Sequence, residues 1–113
     1  MDSKGVRYII NIVNTRKGGR KVRPGKLTVE SNDQVDWINN LDEPALLIID
    51  RGNEIFGEFP DGVAHYMVEI LPGGSRSFQV LLNPFYGKHP YRVLGKNSQA
   101  YHSGGSDPRI DVL

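Results

Sequence analysis

Residues 27–40, with the sequence LTVESNDQVDWINN, contain the clearest fold signal in the chain. Around a polar centre at residues 31–34, apolar side chains recur at every second position: Leu27, Val29, Val35 and Trp37. This period is typical of strands with one buried face, and Asn and Asp tolerate the geometry of a tight turn. The segment therefore predicts two short strands joined by a turn, with Trp37 buried between two sheets.

Further segments of strand length, bounded by Gly, Pro and Asn, lie on both sides of this unit. They are residues 6–13, 45–49, 67–71, 75–81, 91–94 and 110–113. The apolar run at 45–49 predicts a strand buried on both faces, and Pro72-Gly73-Gly74 predicts a hairpin between the strands that it joins. No segment has the periodicity of a helix of normal length. The expected fold class is all-β, a Greek-key β-sandwich of about seven to eight strands.

The size and composition of the chain fit one folded domain, residues 1–113. No apolar run approaches the roughly 20 residues that are needed to span a bilayer. The chain contains no cysteine, which excludes disulfides, thiolate metal ligands and a cysteine nucleophile.

The net charge of +1 conceals an uneven distribution along the chain. Residues 1–26 contain eight basic residues and one acidic residue, a net +7, so that the remaining residues carry −6. Most of this excess lies in residues 15–26, where Gly18-Gly19 and Pro24-Gly25 are breaker signals. We expect this segment to be a flexible basic loop.

Four segments, taken in order, resemble the cupredoxin family of blue-copper proteins. The first is residues 27–40, in which a strand, a turn ending in Asp and a strand ending in an aromatic residue and Asn follow one another. Residues 70–78 (ILPGGSRSF) are similar to the hairpin before the last strands of that family, and residues 86–93 (YGKHPYRV) to the strand that leads into its copper loop. Residues 107–112 (DPRIDV) are similar to its closing strand. The resemblance implies a cupredoxin-like sandwich.

The resemblance also implies a copper site made of His, Cys, His and an axial Met, and this chain departs from it at each ligand. The first His falls on Ala45, the Cys on Val93 and the second His on Lys96. Both methionines, Met1 and Met67, precede the position where the axial ligand belongs. Trigonal blue-copper coordination requires the thiolate. A type 1 copper site and electron transfer through it are therefore excluded, and we expect no metal and no other cofactor.

The remaining side chains bear on two other chemistries, metal binding by histidine and catalysis. His65, His89 and His102 could contribute to a metal site with carboxylate ligands, which stays an alternative. His89, however, lies about 13 Å along its strand from the copper loop that contains His102, so these two are not expected to converge. The sequence shows no paired acid and base and no nucleophile elbow. We expect no catalytic residues and no enzymatic activity.

The expected function is that of a noncatalytic binding or interaction module whose ligand, a protein or a small molecule, the sequence does not specify. Loops carry recognition in sandwiches because the sheets hold them rigidly. We expect the contact surface at the former copper end, on residues 41–45 and 94–102 with the 51–66 connection beside it. The binding residues predicted there are Leu41, Pro44, Ala45, Lys96, Tyr101 and His102. Five aromatic residues flank loops and could either extend this surface or cap the core: Phe56, Phe59, Tyr66, Phe85 and Tyr86.

A second alternative is a polyanion binder that uses the basic segment 16–26. Its candidate residues are Arg16, Lys17, Arg20, Lys21 and Arg23. Nucleic acid is disfavoured because no aromatic residue accompanies the cations for base stacking. The competing interpretation, which we favour slightly, is a solvated loop that faces the acidic segment 42–61 of the same chain.

The sequence leaves the compartment open. Residues 1–4 lead directly into the first predicted strand, without the apolar stretch and cleavage site of a secretory signal. The cupredoxin resemblance, in contrast, implies a periplasmic or secreted protein.

Overall fold

The computed structural model of the protein describes residues 5–14, 20–59, 67–97 and 108–113, and for Arg20 the backbone alone. The strands are β1 (Arg7–Asn14), β2 (Arg20–Arg23), β3 (Lys26–Val29), β4 (Gln34–Asn39), β5 (Ala45–Ile48), β6 (Met67–Ile70), β7 (Ser75–Gln79), β8 (Gly87–Pro90), β9 (Arg92–Gly95) and β10 (Arg109–Val112). A 3₁₀ turn spans Gly52–Glu54. Within these ranges no helix is long and apolar enough to cross a membrane.

The first layer is a four-stranded sheet in the order β2-β1-β4-β7. β1 runs parallel to β4, with Arg7 opposite Gln34, and β2 and β7 pair with them in antiparallel orientation. Alternation in β1 directs Ile10 and Ile12 into the core, whereas the neighbouring Ile9 is 48% exposed on the other face. The strand predicted at 6–13 is confirmed, with bounds shifted by one residue.

The opposite layer consists of two three-stranded sheets, β3-β10-β8 and β6-β5-β9, which one run of chain connects. β8 pairs with β10, and after the single residue Tyr91 the chain continues as β9, which pairs with β5. The Tyr91 amide donates to the carbonyl of Pro108 at 2.8 Å, so it has a partner at the break. Splitting one long strand and adding β2 explains why the described part of the chain has ten strands where the sequence predicted about seven to eight.

The core is centred on Trp37, which is fully buried as predicted. Its ring meets three aromatic rings edge to face, with centroid distances of 5.6 Å to Phe56, 6.1 Å to Phe78 and 5.9 Å to Tyr91. Its Nε1 lies 3.4 Å from the hydroxyl of Tyr91, and burial raises the pKa of that hydroxyl. Edge-to-face pairs add stability beyond the area they bury, so this cluster ties the two layers together.

Residues 20–23 form strand β2, which corrects the expectation of a flexible loop over the whole of 15–26. Val22 lies opposite Ile12 and is 4% exposed, while Lys21 and Arg23 alternate outward into solvent. One apolar side chain between cations anchors the strand because β1 offers a free edge for pairing. Residues 15–19 lie outside the described part of the chain.

The prediction of a hairpin at Pro72-Gly73-Gly74 was wrong, although a turn is present. β6 pairs with β5 in one layer and β7 pairs with β4 in the other, so the turn crosses between layers. Gly73 adopts a φ of 73°, which glycine tolerates without a Cβ clash, and its amide donates to the carbonyl of Asn39 at 2.9 Å. Turn chemistry specifies a reversal of the chain but not the sheet to which the next strand belongs.

Strand β5 is confirmed, but it is not buried on both faces. Ala45 and Leu47 are fully buried, whereas Leu46 and Ile48 are only partly buried on the outer face of the layer. A continuous apolar run does not show which face is covered, because that depends on the elements packed against it.

Candidate binding surfaces at the two ends of the sandwich

The loops of the described chain gather at two opposite ends of β4. The upper end follows the last residues of β4, β6 and β9 and consists of residues 39–45, 71–74 and 95–97. The lower end lies beside the first residue of β4 and consists of residues 31–33, 50–59 and 80–86. Backbone bonds hold the lower end together: the Val80 amide donates to the Asp33 carbonyl at 2.7 Å, and the Phe85 amide donates to the Glu54 carbonyl at 2.9 Å.

Asn39 organises the upper end from a fully buried position. Its Nδ2 donates to the carbonyls of Glu43 and Ile70 at 2.9 and 2.8 Å, and its Oδ1 accepts from the Leu41 amide at 2.9 Å. Glu43 in turn accepts a 2.8 Å hydrogen bond from the Asn97 amide through Oε1. These bonds connect residues 39–43 with Ile70 and Asn97, so a satisfied polar network holds the described loops of the upper end together.

The positions of the family's copper ligands form part of the core and of the surface. Ala45 and Val93 are fully buried and pair with Gly95 and Leu47 in the β5–β9 ladder. The side chain of Lys96 points away from them, and its Nζ forms a 2.8 Å ion pair with Glu69. Alkyl groups and an ammonium group cannot replace imidazole and thiolate as copper ligands. The residues present therefore do not fit a type 1 copper ion.

The structure separates the predicted binding residues of the upper end into accessible and inaccessible ones. Leu41 is 4% exposed and Ala45 is fully buried, so neither can contact a partner. Pro44 is half-buried and Lys96 is exposed. Tyr101 and His102 lie outside the described residues. Leu71, which the sequence did not single out, is 64% exposed at the same end.

Residues 51–59 do not lie beside this surface, which corrects the placement of the 51–66 connection. Phe56 forms a β-bridge with Val80, and the Gly57 amide donates to the Gln79 carbonyl at 2.9 Å. Since Gln79 is opposite Gln34, the first residue of β4, the segment belongs to the lower end. Residues 60–66 lie outside the described ranges.

The lower end carries a surface cleft of about 250 Å³. Its lining combines charged, aromatic and proline side chains: Asp50, Arg51, Glu54, Phe85, Lys88, His89 and Pro90. Of the loop-flanking aromatic residues, Phe56 and Phe59 pack in the core, whereas Phe85 is 52% and Tyr86 is 58% exposed. The charged members of the cleft were not identified from the sequence, because residues 50–54 and 85–90 are distant in the chain and meet beside the pairing of β5 with β9.

Arg51 connects the two sides of the cleft. It adopts a left-handed φ of 58°, forms an ion pair with Glu54, and places its Cζ 5.0 Å from the ring centroid of Phe85. The hydrogen bond from Arg51 holds the pKa of the Glu54 carboxyl below its usual value, with smaller contributions from the charges of Arg51 and His89. Glu54 is thus an ionised acceptor and not a proton donor at neutral pH.

His89 belongs to this cleft and not to the upper end. Its Nε2 lies 2.7 Å from the carbonyl of Phe85, and its ring meets the Phe85 ring at 5.8 Å between centroids. The other two candidate ligands, His65 and His102, lie outside the described residues. Among the residues that the structure does describe, no three His, Cys, Asp or Glu side chains are placed to hold a metal ion.

The basic segment is described from residue 20 onwards. Lys21 and Arg23 are exposed, and Lys26 lies 4.0 Å from Asp111. None of the ion pairs within the described ranges joins these three residues to the acidic segment 42–59, so the expected intramolecular contact is not seen there. Arg16 and Lys17 are outside those ranges, as is the side chain of Arg20.

No protein-family model and no curated protein matches the chain. Similar solved structures include an amicyanin variant in its reduced Cu(I) form, with 11% identity, a TM-score of 0.54, and coverage of 100% of this chain and 86% of amicyanin. A purple cupredoxin from Nitrosopumilus maritimus has 15% identity and a TM-score of 0.52, with coverage of 94% of this chain and 99% of that one.

A laccase from Pediococcus acidilactici has 13% identity and a TM-score of 0.62 over the whole of this chain, which spans 27% of the laccase. At these identities the likeness concerns the fold alone. The layers, the order of the strands and these structural neighbours agree on one conclusion: the chain has a cupredoxin-like β-sandwich fold, and it lacks the cysteine on which a blue-copper centre depends.

Proposed function

We propose that the chain is a noncatalytic binding module, a cupredoxin-like sandwich that works without copper. The observation that carries this proposal is the replacement of the ligand set at the upper end. Ala45 and Val93 contribute to core packing, and Asn39 closes the loops with hydrogen bonds. What remains of the site is a rigid set of loops, and rigid loops on a sandwich favour recognition.

The contact surface of this proposal is the exposed rim of the upper end. Leu71 supplies an apolar side chain, Pro44 is half-buried, and Lys96 with Glu69 supplies a surface ion pair. An apolar centre with a charged rim is the composition of protein–protein contacts. We therefore favour a protein partner over a small ligand at this end.

Site-specific crosslinking tests this function. A photo-crosslinking amino acid is placed at Leu71 or at Lys96, and at the exposed Gln79 of β7 as a control on a distant face. Extracts of the source cells are irradiated, and the captured protein is identified and produced in pure form. We expect adducts at the two upper-end positions and not at the control. We also expect Lys96→Glu to weaken binding of the purified partner by about tenfold, or about 1.4 kcal/mol.

A partner that binds Lys96→Glu and Leu71→Asp as tightly as the unmodified chain would exclude the upper end as the contact surface. Copper-dependent electron transfer by the purified chain would contradict the proposal as a whole.

Polyanion binding through residues 16–26 is a second candidate, supported by one observation. Lys21 and Arg23 are exposed on strand β2 and are not paired with the acidic segment 42–59. Bound phosphates or sulfates release counterions, so log affinity for heparin or duplex DNA should fall linearly with log salt. Micromolar heparin binding at about 150 mM salt, abolished when Arg16, Lys17, Arg20, Lys21 and Arg23 are replaced by Ser, supports it. Unchanged binding by that variant excludes it.

A further inference from the structure

The cleft at the lower end is separate from the surface to which a function was assigned above, and its geometry points to a ligand of a different kind. Residues 50–54 contribute one wall and residues 85–90 the other. The backbone bond from Phe85 to Glu54 and the stacking of Arg51 on Phe85 fix the two walls relative to each other. A site on fixed walls is largely formed before a ligand arrives, which lowers the entropic cost of binding.

The charges of the cleft are balanced. Asp50 and Glu54 are carboxylates, and Arg51 and Lys88 are permanent cations, so their charges sum to zero before the His89 ring is considered. An ionic ligand would need an excess of the opposite charge. A neutral ligand with many hydroxyl groups fits better, because each hydroxyl can donate to a carboxylate and accept from an ammonium or guanidinium group.

The exposed Phe85 ring in the cleft favours a ligand that also has an apolar face. The Phe85 side chain is 52% exposed although Arg51 stacks on its ring, and the adjacent Tyr86 is 58% exposed. Exposed aromatic rings of this kind are costly in water and are typical of contact sites. Sugar rings combine a rim of hydroxyls with a face of C–H groups, so they match both features of the cleft.

The size of the cleft limits how much of a ligand it can hold. At about 250 Å³ it lies below the roughly 300–1,000 Å³ of sites for drug-sized molecules. It is also open at the surface, so a longer chain can continue beyond it. These dimensions suit one or two sugar units of an oligosaccharide.

We propose that the cleft formed by Asp50, Arg51, Glu54, Phe85, Lys88 and His89 binds a neutral saccharide unit, with one face of the sugar on Phe85 and its hydroxyls on the surrounding charged groups. Glu54 and Asp50 accept hydrogen bonds from the sugar, and Lys88 donates one. The ion pair with Arg51 keeps Glu54 ionised, so this carboxylate accepts hydrogen bonds from the sugar hydroxyls.

Isothermal titration calorimetry and amide chemical-shift mapping of the full chain test the site with four probes. These are cellohexaose, maltohexaose, chitohexaose and a high-mannose oligosaccharide of the glycoprotein type. The first three represent free polysaccharides and the fourth represents a protein-linked glycan. We expect at least one probe to bind with a Kd of about 1 mM or lower. The shifts should be confined to residues 50–54 and 84–90.

Variants distinguish binding in the cleft from nonspecific binding elsewhere on the surface. Phe85→Ala should weaken binding by about tenfold, and Lys88→Ser, an exposed position at which misfolding is not expected, should weaken it by about threefold. Leu82→Ala is the matched control, because Leu82 is 68% exposed on the same loop but does not line the cleft. It should bind within twofold of the unmodified chain. Absence of binding by all four probes at about 10 mM, or equal binding by Phe85→Ala and the control, would overturn the proposal.

Discussion

The two ends of this sandwich differ in how their loops are packed. At the upper end, where the family's ligand positions lie, Asn39 is fully buried and its side chain bonds to Leu41, Glu43 and Ile70, and Ala45 is part of the core. The lower end is open, with a cleft of about 250 Å³ lined by charged groups and a half-exposed Phe85. Internal hydrogen bonds hold the described loops of the upper end, whereas the lower end presents charged groups and an aromatic ring to solvent.

The largest expected effect comes from Trp37, the residue at the centre of the core between the two ends. Trp37→Ala removes a fully buried indole and its contacts with Phe56, Phe78 and Tyr91. We expect a loss of about 3–5 kcal/mol in the free energy of unfolding, measured by urea denaturation. Native fluorescence should be blue-shifted, since Trp37 is the single tryptophan. Emission like that of free tryptophan in water would contradict this placement.

Removing the polar network of the upper end should have the next largest effect. Asn39→Ala leaves the Leu41 amide and the carbonyls of Glu43 and Ile70 without their side-chain partner, at a cost of about 2–4 kcal/mol. Asn40→Ala is a matched control, because Asn40 is exposed and its side chain bonds only to Asn11 among the described residues. Its cost should stay below about 1 kcal/mol. Similar losses for both variants would show that the upper end does not depend on the buried amide.

The next prediction concerns the sheet between the two ends, where the stability contributed by the Asp36 carboxyl depends on pH. Asp36 is 2% exposed on the outer face of the first layer. Burial raises the pKa of this carboxyl, but hydrogen bonds from Gln34, Ser77 and Arg7 together outweigh burial and hold the pKa below its usual value. A lowered pKa contributes stability that is present above the unfolded pKa and is lost as pH falls through the folded pKa.

Asp36→Asn should therefore cost about 1–2 kcal/mol at pH 7, measured by urea denaturation. The difference from the unmodified chain should shrink as pH falls below about 4. A difference that stays constant down to pH 2 would show that the charge of Asp36 does not matter.

The smallest expected effect is that of added copper on the unmodified chain, in which Ala45, Val93 and Lys96 stand at the family's ligand positions. Added Cu(II) should produce no intense thiolate-to-copper absorption, because the chain has no cysteine. It should also leave the melting temperature unchanged within error, since a ligand stabilises a fold only when it binds the native state. Ala45→His is an informative companion variant: one imidazole in a packed core should destabilise the fold without restoring a blue site. A blue colour in the unmodified chain would refute the conclusion that the upper end cannot hold a type 1 copper ion.

The sequence by itself determined most of the strands and excluded a blue-copper site. Period-two alternation at 6–13 and around residues 31–34 predicted β1, β3 and β4, and the apolar surroundings of Trp37 predicted its burial, because these features depend on neighbours along the chain. The absence of cysteine decided the copper question, since no tertiary arrangement can supply a missing thiolate.

Only the tertiary structure decided which strands pair and where the loops meet. Pro72-Gly73-Gly74 has the same local chemistry in a hairpin and in a layer crossing, so the sequence could not place β6 and β7 in different sheets. For the same reason it could not bring Arg51 onto Phe85 or move residues 51–59 to the lower end. Turn and strand signals are local, whereas pairing, burial of a second face and a binding cleft arise from contacts between distant segments that no local pattern encodes.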